Sequence, residues 1–212
     1  MTSTSSDTPT IRLYRSSDRA SFYDVCLRTA EAGGDARGSY APDEWDLVPS
    51  IFAGPYPVLE PELAFVLDDG TRVVGYVVGA ADTPAFAERF RNEWLPEVGG
   101  RFPEPAGEPR TPGESMSRLL HHPERMVVPE LSAYPAHLHI DLLPEYQRAG
   151  HGRRLLYTLL AALRNKGVSA VHLGMVTTNA PARVFYDRLG FHEITVSDPG
   201  VLTYLGRDTV TG

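Results

Sequence analysis

Residues 138–190 restrict the fold of this chain more than any other stretch. They read strand, glycine turn, helix, strand, helix. Residues 138–143 form an apolar run and 144–152 a loop. Leu155, Leu156, Leu159, Leu160 and Leu163 then mark one face of a helix that Gly167 can close. A second apolar run spans 168–176, and Asn179 can cap a helix with Pro181 in its first turn and Gly190 past its end. Strands joined through helices place those helices on the faces of a sheet.

Upstream, residues 11–14 begin a strand. Ser17 and Asp18 offer an N-cap to a helix carrying Phe22, Val25, Cys26 and Thr29, which should stop before Gly33 and Gly34. Residues 35–60 hold Tyr40, Trp45, Phe52 and Tyr56 among Gly and Pro and read as an aromatic loop or broken helix. Runs at 63–67 and 72–78 flank Asp69-Gly70, a hairpin signal. Residues 191–196 and 201–205 read as a terminal strand pair. The expected fold is α/β: a mixed sheet flanked by helices.

Residues 84–135 contain nine of the 18 prolines. Short helices at 86–95 and 115–120 are expected there. So many prolines prevent the segment from building its own core, so it reads as a long Pro-rich insertion in one domain. That domain is expected to span 10–206, with a disordered tail at 1–9 and another at 207–212.

The charges sum to −7, a poor match to nucleic acid or an anionic membrane. Cys26 is the only cysteine, which excludes an intramolecular disulfide and Cys-based metal clusters. No apolar run is long enough for a transmembrane helix, and Met1 to Thr10 is too polar for a secretory signal. A cytoplasmic location is the expectation.

The chemistry centres on Gln147, Arg148, Ala149, Gly150, His151 and Gly152. Two glycines at this spacing let backbone amides converge, and the helix start adds partial positive charge. With Arg148, Arg153 and Arg154 beside it, the loop suits a pyrophosphate. The alternative is an ordinary tight turn. The loop is neither a dinucleotide fingerprint nor a nucleotide-triphosphate loop, because the third glycine and a Gly-Lys-Ser/Thr run are absent.

The Gln-x-x-Gly-x-Gly run, followed by Asn179, Ala182, Phe185, Tyr186, Gly190 and Phe191, resembles the GNAT family of N-acetyltransferases. The element order from about residue 10 to 206 is similar too. The resemblance implies a GNAT-like sheet whose strand before the loop splays from the next strand, and acetyl-CoA as acyl donor in that gap, with no metal. Leu142 and Leu143 would offer main-chain groups to the pantetheine arm. The amides of Arg148, Ala149, Gly150, His151, Gly152 and Arg153 would hold the pyrophosphate. Asn179 would bond the pantetheine or thioester, Phe185 would pack along the cofactor and Arg183 would approach the adenosine phosphate. Asn179 as a plain helix cap and Phe185 as plain core are the competing readings.

The resemblance also implies transfer of acetyl to an amine: a small amine, an amino sugar or a protein lysine. Tyr186 could protonate the departing thiolate or simply pack its ring. Asp141 and His139 share one strand face, with His137 further out. They could take the amine's proton or merely support the sheet. The strand lacks the glutamate found in some family members. Tyr40, Asp43 and Trp45 are the acceptor-site candidates by composition. Adjacent His121 and His122 cannot both face one metal ion from a helix. More narrowly, residues 138–144 and the insertion resemble bacterial relatives of the acetyltransferase-like C-terminal domain of O-GlcNAcase. In animals that domain is regarded as a pseudo-acetyltransferase, so a non-catalytic acetyl-CoA-binding sensor or interaction module is the alternative. Monomer and homodimer both stay open.

Overall fold

A computed structural model describes residues 8–210. The hairpin closes where the sequence predicts. Strands β2 (Ala64–Asp68) and β3 (Val73–Ala80) pair antiparallel. Between them Asp69 accepts hydrogen bonds from the amides of Thr71 at 2.8 Å and Arg72 at 2.9 Å. Gly70 takes the left-handed φ of +93° that the turn requires. β1 (Thr10–Leu13) pairs with β2, and β4 (Ala136–Leu142) with β3. β5 (Ala170–Val176) runs parallel to β4, and β6 (His192–Ile194) and β7 (Leu202–Asp208) complete the order β1-β2-β3-β4-β5-β7-β6. The expected mixed α/β sheet is therefore present, with seven strands and one parallel pair among the described residues.

Helix α1 (Arg19–Leu27) lies against β3. The stretch read as an aromatic loop or broken helix takes the second form, with two short helices, α2 (Leu47–Phe52) and α3 (Pro55–Leu59). Pro55 opens α3, where a missing amide costs nothing, and Leu47, Val48, Ile51 and Tyr56 are buried. The proline-rich segment holds α4 (Thr83–Arg89), a wide turn at Phe90–Trp94, α5 (Leu95–Val98) and α6 (Pro112–His121). Phe86, Phe90, Trp94, Phe102 and Leu120 join the same core as the sheet residues, and the Trp94 indole donates to the Ser50 carbonyl at 2.8 Å.

α7 (His151–Asn165) and α8 (Ala180–Arg188) follow β4 and β5. Tyr76 meets Phe22 of α1 at 4.6 Å between ring centres. A side chain on Gly79 would meet Leu159 of α7 at 3.1 Å. Strand alternation puts these two positions on opposite faces, so α1 and α7 sandwich the sheet. Leu159 is fully buried. Leu159→Ala is expected to cost about 3 kcal/mol and to lower the melting temperature by roughly 6–12 °C, read by thermal denaturation.

The expected C-terminal tail at 207–212 is corrected in its first residues. Arg207 pairs with Val171 inside the β5·β7 ladder. The hydroxyl of buried Thr209 donates to the Val168 carbonyl at 2.7 Å. Residues 211–212, and 1–7 of the expected N-terminal tail, lie outside the described residues. Among the described residues no helix is long and apolar enough to cross a membrane.

Candidate active site

β4 and β5 pair only at Ala136 with Val171 and His137 with His172. Beyond that point β4 stays on β3 as far as Gly75 opposite Leu142, and β5 stays on β7 as far as Val176 opposite Leu202. The two strands part, leaving an open edge on β4. The Leu143 amide donates to the Val74 carbonyl at 3.0 Å. Antiparallel alternation therefore turns the backbone groups of Ile140 and Leu142 toward the gap.

This corrects one expectation. Leu143 offers nothing to a ligand, because its carbonyl also accepts from the Tyr146 amide at 2.9 Å. Ile140, not singled out from the sequence, takes its place. Gln147 reaches back, its side-chain amide donating to the Leu142 carbonyl at 2.9 Å. Phe185 and Leu142 close over Gly152: a side chain there would lie 3.2 Å from the Phe185 ring and 3.6 Å from Leu142 Cδ1. Phe185 is half-buried and walls the gap.

The loop carries two left-handed residues, Arg148 at φ +61° and Gly150 at φ +83°, just before α7. Arg148 is a non-glycine held where L-residues are strained, a conformation that gathers at ligand sites. Its geometry aims amides into one concavity. Among the described residues the amides of 148–153 donate to no protein acceptor, and the ladder of α7 begins with Arg154 on Gly150 at 3.1 Å. Arg148 and Arg153 are exposed beside them.

Asn179 caps α8, accepting from the Ala182 amide at 3.1 Å. Arg183 does not reach toward a phosphate. Its guanidinium is held by Asp187 at 2.8 Å and Glu193 at 2.7 Å. That expectation is corrected: one turn of helix and β6 supply its anions.

Asp141 is half-buried on β4, and its Oδ2 accepts from the Tyr76 hydroxyl at 2.5 Å. Burial pushes the carboxyl up to about 6, against the pull of the Tyr76 hydrogen bond toward the ionised form. Tyr186 is buried. Burial, reinforced by the Asp141 charge, raises the phenol above its ordinary range, so it keeps its proton at neutral pH. A proton acceptor on β4 and a proton donor on α8 are thus both present.

His139 shares the Asp141 face, between the rings of Phe52 at 5.6 Å and Tyr56 at 5.5 Å. Burial, together with the Arg125 charge, pulls it down to about 4, so it is neutral. His137 is structural: its Nε2 meets the Tyr56 hydroxyl at 2.8 Å and its Nδ1 the Thr83 hydroxyl at 2.9 Å. Among the described residues no cluster of His, Cys, Asp or Glu is placed to hold a metal ion.

The structure does not bring Tyr40, Asp43 and Trp45 to this centre. Trp45, 38% exposed, lines a shallow depression with Arg19, Tyr23 and Arg37 on the outer side of α1. Asp43 is exposed on the turn Pro42–Glu44, and Tyr40 packs against the core. Phe52, Tyr56 and Arg125 surround His139 instead. The two aromatics were visible in the aromatic stretch, whereas Arg125 gave no local signal.

Residues 121–191, which contain β4, the loop, α7, β5 and α8, match a family model described as the acetyltransferase (GNAT) family. The crystal structure of SsHAT is 58% identical, with a TM-score of 0.92 over 97% of this chain and 100% of that one. Protein O-GlcNAcase of Rattus norvegicus is 26% identical over 202 residues, 93% of this chain. The chain spans only 22% of that relative's length. The [ribosomal protein bS18]-alanine N-acetyltransferase of Escherichia coli K12 is 43% identical over 53 residues, 25% of this chain and 36% of the relative.

Proposed function

This chain belongs to the GNAT family of acetyltransferases, and from that premise we propose that it moves an acetyl group from acetyl-CoA to an amine. The observation that carries the reading is the parted β4–β5 edge with unused loop amides at one end. The amides of 148–153 hold the pyrophosphate, with Arg148 and Arg153 adding charge. The backbone of Ile140 and the amide of Leu142, whose oxygen Gln147 holds, pair with the pantetheine arm as an added strand would. Asn179, already bound to its own helix, fixes the end of α8 beside the arm, and Phe185 lines its path.

Acetyl-CoA supplies an acyl thioester. Asp141, directly or through one water, takes a proton from the incoming ammonium, whose free value is near ~10.4. The nitrogen bonds to the carbonyl carbon, the carbon–sulfur bond breaks, and Tyr186 gives its proton to the leaving sulfur. The second proton, shed by the nitrogen as the amide forms, returns to the phenolate through solvent, and Asp141 releases its own to solvent. Holding the two reactants together supplies much of the acceleration.

The test combines acetyl-CoA thermal shift with free-thiol release across an amine panel. Stabilisation with thiol release supports the reading, and neither effect at micromolar cofactor refutes it. The similarity to O-GlcNAcase, a protein named for another activity, favours a second reading as a non-catalytic acetyl-CoA-binding module. Stabilisation without thiol release selects it.

A pH dependence follows. Asp141 in the fold lies above its ordinary value of about 3.9. Ionising it therefore opposes folding: its contribution to stability is complete below pH ~4 and is lost as pH rises through about 6. Its contribution to rate runs the other way. The pH profile of kcat/KM is expected to show a rising limb near pH 6 that Asp141→Asn lacks. Tyr76→Phe removes a donor to the carboxylate and should move the limb to higher pH. A limb that both variants leave in place would assign the proton to another group.

A further inference from the structure

Arg125 lies on the turn Pro123–Met126 after α6 and is half-buried. Its one side-chain hydrogen bond among the described residues runs from Nε to the Leu119 carbonyl at 3.3 Å. Every other half-buried arginine among them has a carboxylate partner: Arg12, Arg28, Arg89, Arg118 and Arg183. Buried Arg207 gives its donors to the carbonyls of Leu189, Asp208 and Val210. The neighbouring acid, Glu124, is engaged by Arg91 and by His122. A cation drawn partly out of water without a counter-ion is costly, so proteins pair or hydrogen-bond it.

The location of this cation is informative. Its guanidinium carbon stands 5.8 Å from the Phe52 ring centre, and the other neighbour of that ring is His139, at 5.6 Å. Its charge bears on His139 and His137, and Tyr56 packs on the same His139 ring at 5.5 Å. It therefore lies on the side of the sheet that carries His139, and Asp141 shares that strand face two residues on.

We propose that Arg125, with the His139 imidazole beside it, is the anion-binding end of the acceptor cleft, so that the amine acetylated here belongs to a molecule that also bears a carboxylate. The proposal rests on the reading of this cleft given above. One guanidinium beside a neutral imidazole matches the single charge of a carboxylate, which its planar fork can grip at two points. Two residues of strand separate His139 from Asp141, so amine and carboxylate lie on the order of 7 Å or more apart.

The test is equilibrium binding to the full chain with coenzyme A present, which needs no turnover. 6-Aminohexanoate is compared with hexylamine, and a capped Lys-Glu dipeptide with capped Lys-Gln. At least one acidic member is expected to bind tenfold or more tightly than its neutral match. The pair that shows the preference tells a small acceptor from a peptide. Arg125→Gln should abolish the preference while leaving coenzyme A affinity intact, and Arg125→Lys should keep part of it. Equal affinities within both pairs, no binding included, or a preference that survives in Arg125→Gln, overturns the proposal. Failure of coenzyme A itself to bind overturns the underlying reading instead.

Discussion

Tyr186→Phe is expected to lower kcat by 10²–10³ and to leave acetyl-CoA affinity within about twofold. The substitution removes one oxygen. The ring keeps its edge contacts with Phe185 at 5.1 Å and Phe191 at 5.3 Å, so α8 and the cleft wall stay in place. The proton disappears, and with it the means of neutralising a thiolate that leaves inside a partly dry gap. A hundredfold loss corresponds to about 2.7 kcal/mol of barrier. Single-turnover kinetics with saturating acetyl-CoA isolate the chemical step. Unchanged turnover would remove Tyr186 from the acid role and leave it as packing.

Gly150→Glu should weaken acetyl-CoA binding about a hundredfold or more. Two effects add. At φ +83° a glutamate is strained, by roughly 1–2 kcal/mol. The added carboxylate also stands among amides that the proposal assigns to a pyrophosphate. Two like charges about 5 Å apart at an effective dielectric near 20 repel by roughly 3 kcal/mol. No atom lies within 4 Å of the position a Cβ would take, so overcrowding within the protein is not the cause. Gly150→Asn is the control, because asparagine tolerates this backbone and carries no charge. Calorimetry should show the asparagine variant near wild type. A glutamate variant of undiminished affinity would place the phosphates elsewhere.

The hairpin, the leucine-faced α7, the capped α8 and the glycine loop were legible because each is written in consecutive residues. Which backbone groups face the gap was not. Leu142 and Leu143 are neighbours of similar chemistry, and only the pairing of Leu143 with Val74 decides which is free. Arg183 was readable in part, since Asp187 stands four residues on and such pairs meet on a helix. Glu193 comes from another element. Arg125 belongs to a proline-broken stretch whose seat depends on contacts with α4 and on long-range packing. Its isolation from carboxylates is a property of the folded molecule. Tyr40, Asp43 and Trp45 were chosen by residue type, and composition does not say which way a segment folds over a sheet.

A strand with one bare flank ordinarily invites extended chains from other molecules to add to it, the first step toward aggregation. On β4 that flank is short, beginning past His137, and it is fenced by Phe185 while Gln147 ties up the Leu142 oxygen. A polypeptide would have to bring side chains on both of its faces through this slot. The pantetheine arm, branched only at its pantoyl unit, brings far less bulk. On the reading proposed above, the same fence that discourages unwanted partners also favours a thread over a ribbon.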